Sequence, residues 1–305
     1  MKAWKPMVAA LALAATTACT TRSLDEPVPE IRDTDPLIAQ LAATARKAYE
    51  AGEYPGAVVL YKRALERARA MDNSREIGRN AFNLAACMQA LDDLDAAAAL
   101  LQESERETLR AGDDAGPAIL LLAQINRLRG DRKQAVADID RLEQLPVDDL
   151  TRGQAYTLRA HIACDRDDVT GAKANLVRAQ GYLRKQSDDG LAGDIAQVSG
   201  RIAELKQDWK GAAAAFDREA TWMQRADRLP EMAVALELAG RNFARAGDLV
   251  TASDRFYRAA RSFMAQGNNL DALRVIEQAA DAQDGTDNPS AAAIASLFEE
   301  IRQSA

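Results

Sequence analysis

Histidine is almost absent from this sequence, because His161 is the only one among 305 residues. Zinc hydrolases bind their metal through two or more histidines, as in the HExxH motif, so this chemistry is excluded. The sequence also lacks GxSxG, the motif of serine hydrolases, and the glycine-rich loops GxxxxGK and GxGxxG that hold phosphates. These absences predict a chain without catalytic activity, metal or cofactor.

An excess of positive charge is also missing. The chain carries 39 Lys and Arg residues against 46 Asp and Glu residues, which gives a formal net charge of −7. Nucleic acids and anionic lipid headgroups attract basic proteins, so this acidic balance predicts that neither is a partner.

Strand-forming patterns and proline are scarce beyond Pro36. Aromatic residues make up 5% of the chain, and no run of alternating β-branched residues occurs. Ala, Leu, Arg, Glu and Asp are abundant instead. This composition predicts an all-α fold.

The N-terminus has the features of a bacterial lipoprotein signal peptide. Lys2 and Lys5 precede an apolar stretch at 7–15, and the run Thr-Thr-Ala leads into Cys19. A stretch of this length is typical of a secretory signal and too short to span a bilayer. We predict that residues 1–18 are the signal peptide and that lipid on Cys19 makes the only membrane contact. The alternative is ordinary secretion with a free thiol on the same cysteine.

The residue after Cys19 is Thr20. By resemblance to the sorted lipoproteins of Gram-negative bacteria, a residue other than Asp at this position implies delivery to the outer membrane, facing the periplasm. Residues 19–36 contain three prolines among acidic residues and little that could be buried, which predicts an extended tether. Residues 37–305 are predicted to form one folded domain.

Small residues recur through this domain with spacings of 37–40 residues. The first set is Ala57, Ala97, Ala135, Ala172, Ala212, Ala252 and Ala292. The second set lies twelve residues earlier and is Ala45, Ala85, Ala123, Ala160, Gly200, Gly240 and Ala280. Four residues after the first set stand the bulky residues Tyr61, Leu101, Ile139, Leu176, Phe216 and Phe256, with Ser296 in the last unit.

Packing explains this pattern. A side chain larger than methyl at a helix crossing pushes the two axes beyond roughly 8–10 Å. Each unit is therefore predicted to be a helix pair in contact at its two small residues, while the bulky residue fills the groove toward the next pair. Gly and Asp in the short turns supply positive φ and cap the following helix. The prediction is seven helix pairs, the last helix capping the stack with Ile294, Leu297, Phe298 and Ile301.

The pattern resembles the tetratricopeptide repeat family, whose units carry small residues at positions eight and twenty, an aromatic at twenty-four and Ala at twenty-seven. The best match is 49–64, and the likeness covers roughly residues 37–303. Units longer than the family's 34 residues depart from it, as do Leu142, Glu219 and Glu299 at position twenty-seven. Longer helices or wider turns would accommodate these departures. The resemblance implies a right-handed solenoid whose first helices line a concave groove for peptides or protein segments.

If the first helices face inward, a defined set of side chains lines the groove. The predicted partner-binding residues are Arg46, Tyr49, Arg79, Phe82, Gln89, Gln124, Arg127, Gln154, His161, Arg201 and Arg241. Further positions are Thr157, Cys164, Asp194, Gln197, Glu204 and Glu237. The arginines of the N-terminal half favour a peptide with an acidic end, because guanidinium groups bind carboxylates at two points. The alternative is a solvated face whose arginines pair with acidic neighbours.

Chaperone-binding family members hold a C-terminal carboxylate with Lys, Asn and Arg, of which only Asn83 is present, so that clamp is not predicted.

The favoured function is a lipid-anchored periplasmic scaffold or adaptor for a peptide or protein partner in envelope assembly, whether secretion or pilus, barrel-assembly or cell-wall machinery. One alternative is a self-assembling oligomer that pairs through the groove or the face at 294–301. A second alternative is a thiol enzyme that uses Cys164 and His161, which share a helix face.

Cys87 lies two repeats from Cys164, too far for a disulfide, which needs Cα atoms within about 7 Å. Trp209 and Trp222 are predicted to be packing residues.

Overall fold

The computed structural model describes residues 35–283 and 290–304, and Cys19, the predicted signal peptide and most of the tether lie outside these ranges. Within them every regular element is a helix. The helices are α1 Pro36–Glu50, α2 Tyr54–Ala70, α3 Ser74–Ala90, α4 Leu94–Arg110, α5 Gly116–Leu128, α6 Arg132–Glu143, α7 Asp149–Cys164, α8 Val169–Lys185, α9 Asp189–Leu205, α10 Trp209–Arg225, α11 Leu229–Arg245, α12 Leu249–Ala265, α13 Asn269–Gln283 and α14 Ala291–Ser304. They form an all-α helical repeat solenoid in which each helix packs on the next.

Helix length accounts for the long repeat. Eight helices, α2 to α4 and α8 to α12, have 17 residues each. Three-residue turns separate most of these helices, so a unit reaches 40 residues through longer helices and not through wider turns. The third unit is shorter, because α5 has 13 residues and α6 has 12.

The turns within the units match their sequence signals. In five units an Asp side chain accepts a hydrogen bond from a backbone N–H of the helix that follows it. This bond satisfies one of the free N–H donors at the start of that helix. These caps are Asp93, Asp131, Asp168, Asp208 and Asp248. Positive φ occurs at Gly52, Gly130 and Gly247, as predicted, but also at Asp92, Asp167 and Gln207.

Burial confirms the two small-residue sets in the first six units. Every alanine of these sets is 0% exposed. The bulky residues that face them, from Tyr61 to Phe256, are at most 9% exposed. The core is therefore a continuous seam along the stack, built where small and bulky residues of successive helices meet.

The seventh unit corrects the sequence analysis. Ala280, Ala292 and Ser296 are exposed, and Ala279 takes the buried small position at 0% exposure. The carbonyl of Ala279 accepts a hydrogen bond of 2.8 Å from the hydroxyl of Ser253, which fixes α13 against α12. The alanine-rich sequence repeats the spacing of the earlier units, but the helix presents the neighbouring alanine to the core.

The capping role of α14 is confirmed. Ile294, Leu297 and Ile301 are at most 7% exposed and pack into the core formed with α11, α12 and α13. Ile294, Leu297 and Ile301 are therefore unavailable for the alternative in which this face pairs with a second copy, and Phe298 is partly buried against the same core. None of the helices in the described ranges is long and apolar enough to cross a bilayer.

Candidate functional site

Four first helices, α3, α5, α7 and α9, direct side chains into one cavity of about 290 Å³. We term it the glutamine chamber, because each of these helices contributes one glutamine. Its lining is Gln89, Leu120, Gln124, Arg127, Leu128, Gln154, Thr157, Leu158, His161, Asp194, Gln197 and Arg228. The structure thus brings together eight of the predicted groove residues, namely Gln89, Gln124, Arg127, Gln154, Thr157, His161, Asp194 and Gln197.

Three amide groups of the chamber have no hydrogen-bond partner in the part of the chain that the structure describes. Among the described residues, the side chains of Gln89, Gln124 and Gln154 make no hydrogen bond, whereas Gln197 Nε2 donates to Glu219 Oε1 at 2.8 Å. Each amide side chain offers two donors and an acceptor. The chamber therefore presents unpaired donors and acceptors from three successive units, between leucine side chains of α5 and α7.

The cations of the chamber are neutralised from within the protein. Arg127 donates from Nε and Nη2 to Asp165 at 2.6 and 3.1 Å, and Arg201 Nη2 lies 3.3 Å from the same carboxylate. Burial raises the pKa of Asp165, but the hydrogen bond and charge of Arg127 and the charge of Arg201 outweigh it, so that the pKa is lowered. Arg228 donates to Asp194 at 3.0 Å. The lining is close to electrically neutral.

His161 is neutral at physiological pH. Burial lowers its pKa to about 3, and the positive charges of Arg127 and Arg201 add to this effect. Its Nδ1 is buried and has no hydrogen-bond partner among the described residues. A neutral imidazole carries one donor and one acceptor nitrogen, so His161 adds an unpaired polar atom to the chamber wall.

A buried carboxyl group lies behind the chamber. Glu219 is 0% exposed, and its Oε2 has no partner among the described residues. Burial raises its pKa to about 8, the hydrogen bond from Gln197 opposes the rise, and nearby Asp194 adds to it. Burial also raises the pKa of Asp194, although Arg228 partly offsets this. Glu219 is therefore mostly protonated near neutral pH and adds little charge.

The remaining predicted groove residues lie outside the chamber. Arg46 is 70% exposed and 3.7 Å from Glu50, and the ring of Tyr49 meets that of Tyr54 edge-on with centroids 5.3 Å apart. Neither Arg46 nor Tyr49 lines a cavity with the others. Arg46 forms an exposed ion pair within its own helix, and its role in binding an acidic peptide end stays a prediction.

Arg79 and Phe82 line a separate pocket of about 460 Å³ between α3, α4 and α5, together with Asn83. Arg79 Nη1 lies 3.4 Å from Glu76 Oε1 on the same helix. Arg201 and Arg241 line a third pocket of about 480 Å³ between α9, α10 and α11. The predicted list is therefore divided among three pockets and one exposed end.

The cysteines occupy the core. Cys164 is 2% exposed, which corrects its predicted place in the groove, and burial raises the pKa of its thiol. Cys87 is 0% exposed, as expected of a small core residue, and burial raises its pKa to about 11. Both are free thiols. In the part of the chain that the structure describes, no group of three or more His, Cys, Asp and Glu side chains could hold a metal ion.

Sequence reasoning missed Arg228, Trp209 and Arg245. Trp209, expected to be a packing residue, lines the third pocket and lies 5.0 Å from Arg245 Cζ, measured to the ring centroid. One sequence signal could have found such contacts, namely a separation of about one repeat unit. Trp209 and Arg245 are 36 residues apart, and Arg127 and Asp165 are 38 residues apart. Cation–aromatic and opposite-charge pairs one period apart indicate side chains that meet between neighbouring units.

No protein-family model and no curated protein matches the sequence. Solved structures do share the fold. The Rap protein complexed with Competence and Sporulation Factor superimposes with a TM-score of 0.60 at 12% identity, over 87% of this chain and 75% of that chain. A STAND protein with a tetratricopeptide repeat sensor, PH0952 from Pyrococcus horikoshii, gives 0.58 at 14% identity, over 84% of this chain and 41% of that one.

These likenesses and the paired helices define a class of protein. The chain is an all-α helical repeat solenoid of the tetratricopeptide type, as its small-residue pattern predicted.

Proposed function

We propose that this protein is a non-catalytic scaffold that binds an extended peptide segment of a partner protein in the glutamine chamber. The observation that carries the proposal is the set of three unpaired amides on three successive first helices. An extended peptide exposes one N–H and one C=O per residue, and glutamine side chains can pair with both.

The other chamber features favour a peptide over other ligands. The leucines at 120, 128 and 158 supply contacts for small aliphatic side chains. None of the lining residues, all within the described ranges, is Phe, Tyr or Trp, so the chamber lacks the large aromatic rings on which nucleobases stack. Its near-neutral charge suits an uncharged backbone. The Rap protein, whose solved structure contains Competence and Sporulation Factor, has a similar fold, which supports ligand binding by such a solenoid.

The proposed location is the periplasmic face of the outer membrane of a Gram-negative bacterium, with Cys19 carrying the lipid. Support comes from the basic start, the short apolar stretch and the cysteine in the sequence. The partner would then be a protein of the cell envelope. Fractionation of cells that express Cys19→Ser tests this part: the wild type is expected in the outer-membrane fraction and the variant in the soluble periplasm. An unchanged distribution would contradict lipid anchoring.

Affinity capture from detergent-solubilised envelopes tests the chamber. We expect a partner that is retained by the wild type and lost by Gln124→Ala with Gln154→Ala. The matched control is Gln102→Ala with Gln144→Ala, because these two exposed glutamines lie outside the chamber. Equal capture by all three proteins refutes the chamber as the binding site.

Sedimentation of the same three proteins tests the alternative of self-assembly. The proposal expects a monomer whose sedimentation does not change with concentration. Dimers that form with rising concentration and disappear only in the chamber variant would instead identify a second copy as the occupant.

A further inference from the structure

The third pocket continues the groove beyond the glutamine chamber. Gln197 lines both cavities, so the two are contiguous. We term this neighbour the arginine–tryptophan pocket. Its lining is Gln197, Arg201, Glu204, Leu205, Trp209, Leu238, Arg241 and Arg245. Three guanidinium groups and one carboxylate thus surround a space of about 480 Å³ in a chain with an overall negative charge.

Two of these arginines share their acidic partners with other arginines. Arg201 contacts Asp165 through Nη2 alone, at 3.3 Å, while Arg127 already holds that carboxylate with two hydrogen bonds. Arg241 likewise contacts Glu237 through Nη2 alone. Because each guanidinium has five N–H donors, most donors of Arg201 and Arg241 have no protein acceptor among the described residues.

Glu237 is the carboxylate that Arg241 shares. Arg274 binds it with two hydrogen bonds, at 2.5 and 3.0 Å. The third arginine of the pocket, Arg245, lies 3.8 Å from Glu204, which also accepts a hydrogen bond of 2.8 Å from Asn242. The internal acids are thus held mainly by other residues, and positive charge remains in excess at the pocket.

The apolar side of the pocket comes from a second helix. Trp209 is the first residue of α10, so its half-buried ring stands at the edge of the groove beside Leu205 and Leu238. Arg245 lies over this ring, which keeps its guanidinium at the rim. Donors and an apolar surface therefore lie next to each other.

We infer that the arginine–tryptophan pocket binds a carboxylate of the bound peptide together with an adjoining apolar side chain. This inference rests on the proposed function, because the peptide enters from the glutamine chamber. Guanidinium donors pair with the carboxylate oxygens, and the Trp209 ring covers the neighbouring side chain. Asn83, the one residue that matches the family's carboxylate clamp, lies in another pocket. A free C-terminus and an Asp or Glu side chain are the two sources of this carboxylate.

The test is affinity selection on the immobilised full-length protein with three pools of N-acetylated hexapeptides, read by mass spectrometry. The first pool excludes Asp and Glu and has a free C-terminus, the second is its amide, and the third is the amide with Glu at the last position. Because hydrogen bonds to a charged group are stronger than neutral ones, retention of the first or third pool is expected to exceed that of the second by about tenfold. Preference for the first pool identifies a C-terminus, and preference for the third identifies a side chain.

The test variant is Arg241→Gln with Arg245→Gln. Glu237 keeps its hydrogen bonds from Arg274 in this variant, so the fold is expected to persist, which circular dichroism checks. We expect the preference for carboxylates to disappear while the amide pool is still retained. The control is Arg258→Gln with Arg261→Gln, two arginines of α12 outside both groove cavities. Trp209→Ala is a second variant and should lose peptides with a bulky apolar residue beside the carboxylate.

Two outcomes overturn the inference, and they are distinguishable. Equal retention of all three pools by the wild type, or a preference that survives in the Arg241 and Arg245 variant, refutes the carboxylate pocket while peptide binding stands. Failure to retain any pool refutes both the pocket and the proposed function.

Discussion

Gly200 on α9 lies directly against the ring of Phe216 on α10, so that a Cβ at Gly200 would be only 2.7 Å from two ring carbons. One unit later Gly240 meets Phe256 in the same way, at 2.8 Å. The other four confirmed units combine Ala with Leu, Ile or Tyr. The small position therefore carries Gly where it faces a Phe ring and Ala where it faces Leu, Ile or Tyr.

This pairing predicts a specific cost for Gly200→Ala. Alanine is the better helix former by about 1 kcal/mol, but the added methyl clashes with a ring that is 0% exposed. Overpacking of this kind typically costs about 1–3 kcal/mol. We therefore expect a lower free energy of unfolding, measured with urea and circular dichroism, and partial recovery when Phe216→Leu is added, which recreates the pair of the second unit.

Gly56→Ala is the control for that experiment. Gly56 lies in α2, and a Cβ there would meet nothing within 4 Å. The substitution should stabilise the protein by on the order of 0.5–1 kcal/mol. If both alanine variants shift stability in the same direction, the proposed compensation between Gly200 and Phe216 is wrong.

Glu219 predicts a decline of stability with rising pH. Its pKa is about 8 in the folded protein against 4.5 for an unperturbed Glu. Between these values the unfolded chain releases a proton that the native state retains, so the free energy of unfolding falls as the pH rises through this window. Glu219→Gln keeps an acceptor for Gln197 and should remove about 2–4 kcal/mol of this decline, measured by urea unfolding at pH 5 and pH 8.

Asp194 contributes a change of the same sign, because its pKa is also raised by burial. A smaller decline of the free energy of unfolding should therefore persist in Glu219→Gln. Its size depends on Arg228, which lowers the pKa of Asp194, and on Glu231, which raises it. Glu277→Gln, on the exposed face of α13, should leave the wild-type decline intact. If the free energies of unfolding of the wild type and of Glu219→Gln fall equally with rising pH, the carboxyl group of Glu219 is ionised in the folded protein.

Ion pairs between successive units should differ in strength with exposure. Arg255 binds Asp217 with two hydrogen bonds of 2.8 and 3.0 Å, and the two side chains are 22% and 26% exposed. Arg110 binds Asp72 one period away as well, but these side chains are 58% and 75% exposed. Double-mutant cycles with alanine should give a coupling of about 1 kcal/mol for the first pair and a clearly smaller coupling for the second, because solvent screens it. Equal couplings would contradict this order.

The core positions of the cysteines predict slow thiol chemistry. In a Cys19→Ser protein, Cys87 and Cys164 should react with an aromatic disulfide reagent only when the protein unfolds, because both are buried and their pKa values are raised. The labelling rate should match that of an unstructured thiol after denaturation. Fast native-state labelling of Cys164 that His161→Ala abolishes would revive the thiol-enzyme alternative.

The helix pairs could be predicted because close crossings tolerate only small side chains, and this constraint is visible in the sequence as small residues that recur with the repeat period. It failed in the seventh unit, where the period points to Ala280 but the helix buries Ala279 and the bulky position is occupied by Ser296. The pairing of Arg127 on α5 with Asp165 at the end of α7 depends on how two units pack, and its only sequence signal is the separation by one unit. The pairing of Arg241 with Glu237 follows from their i,i+4 spacing on α11. The repeat spacing predicted that Gln89, Gln124 and Gln154 lie on the inner face. It could not predict that they line one chamber.

The exposed residues of α14 do not continue the apolar seam of the stack. The exposed residues of α14 include Ala292, Ala293, Ala295, Ser296 and Glu299. A helix added beyond α14 would find no large apolar side chain among them, whereas a whole unit inserted between two existing ones would meet an apolar seam on both sides. The reach of the inner surface, and with it the number of peptide residues that it can cover, is therefore adjustable by internal duplication but not by growth at this end.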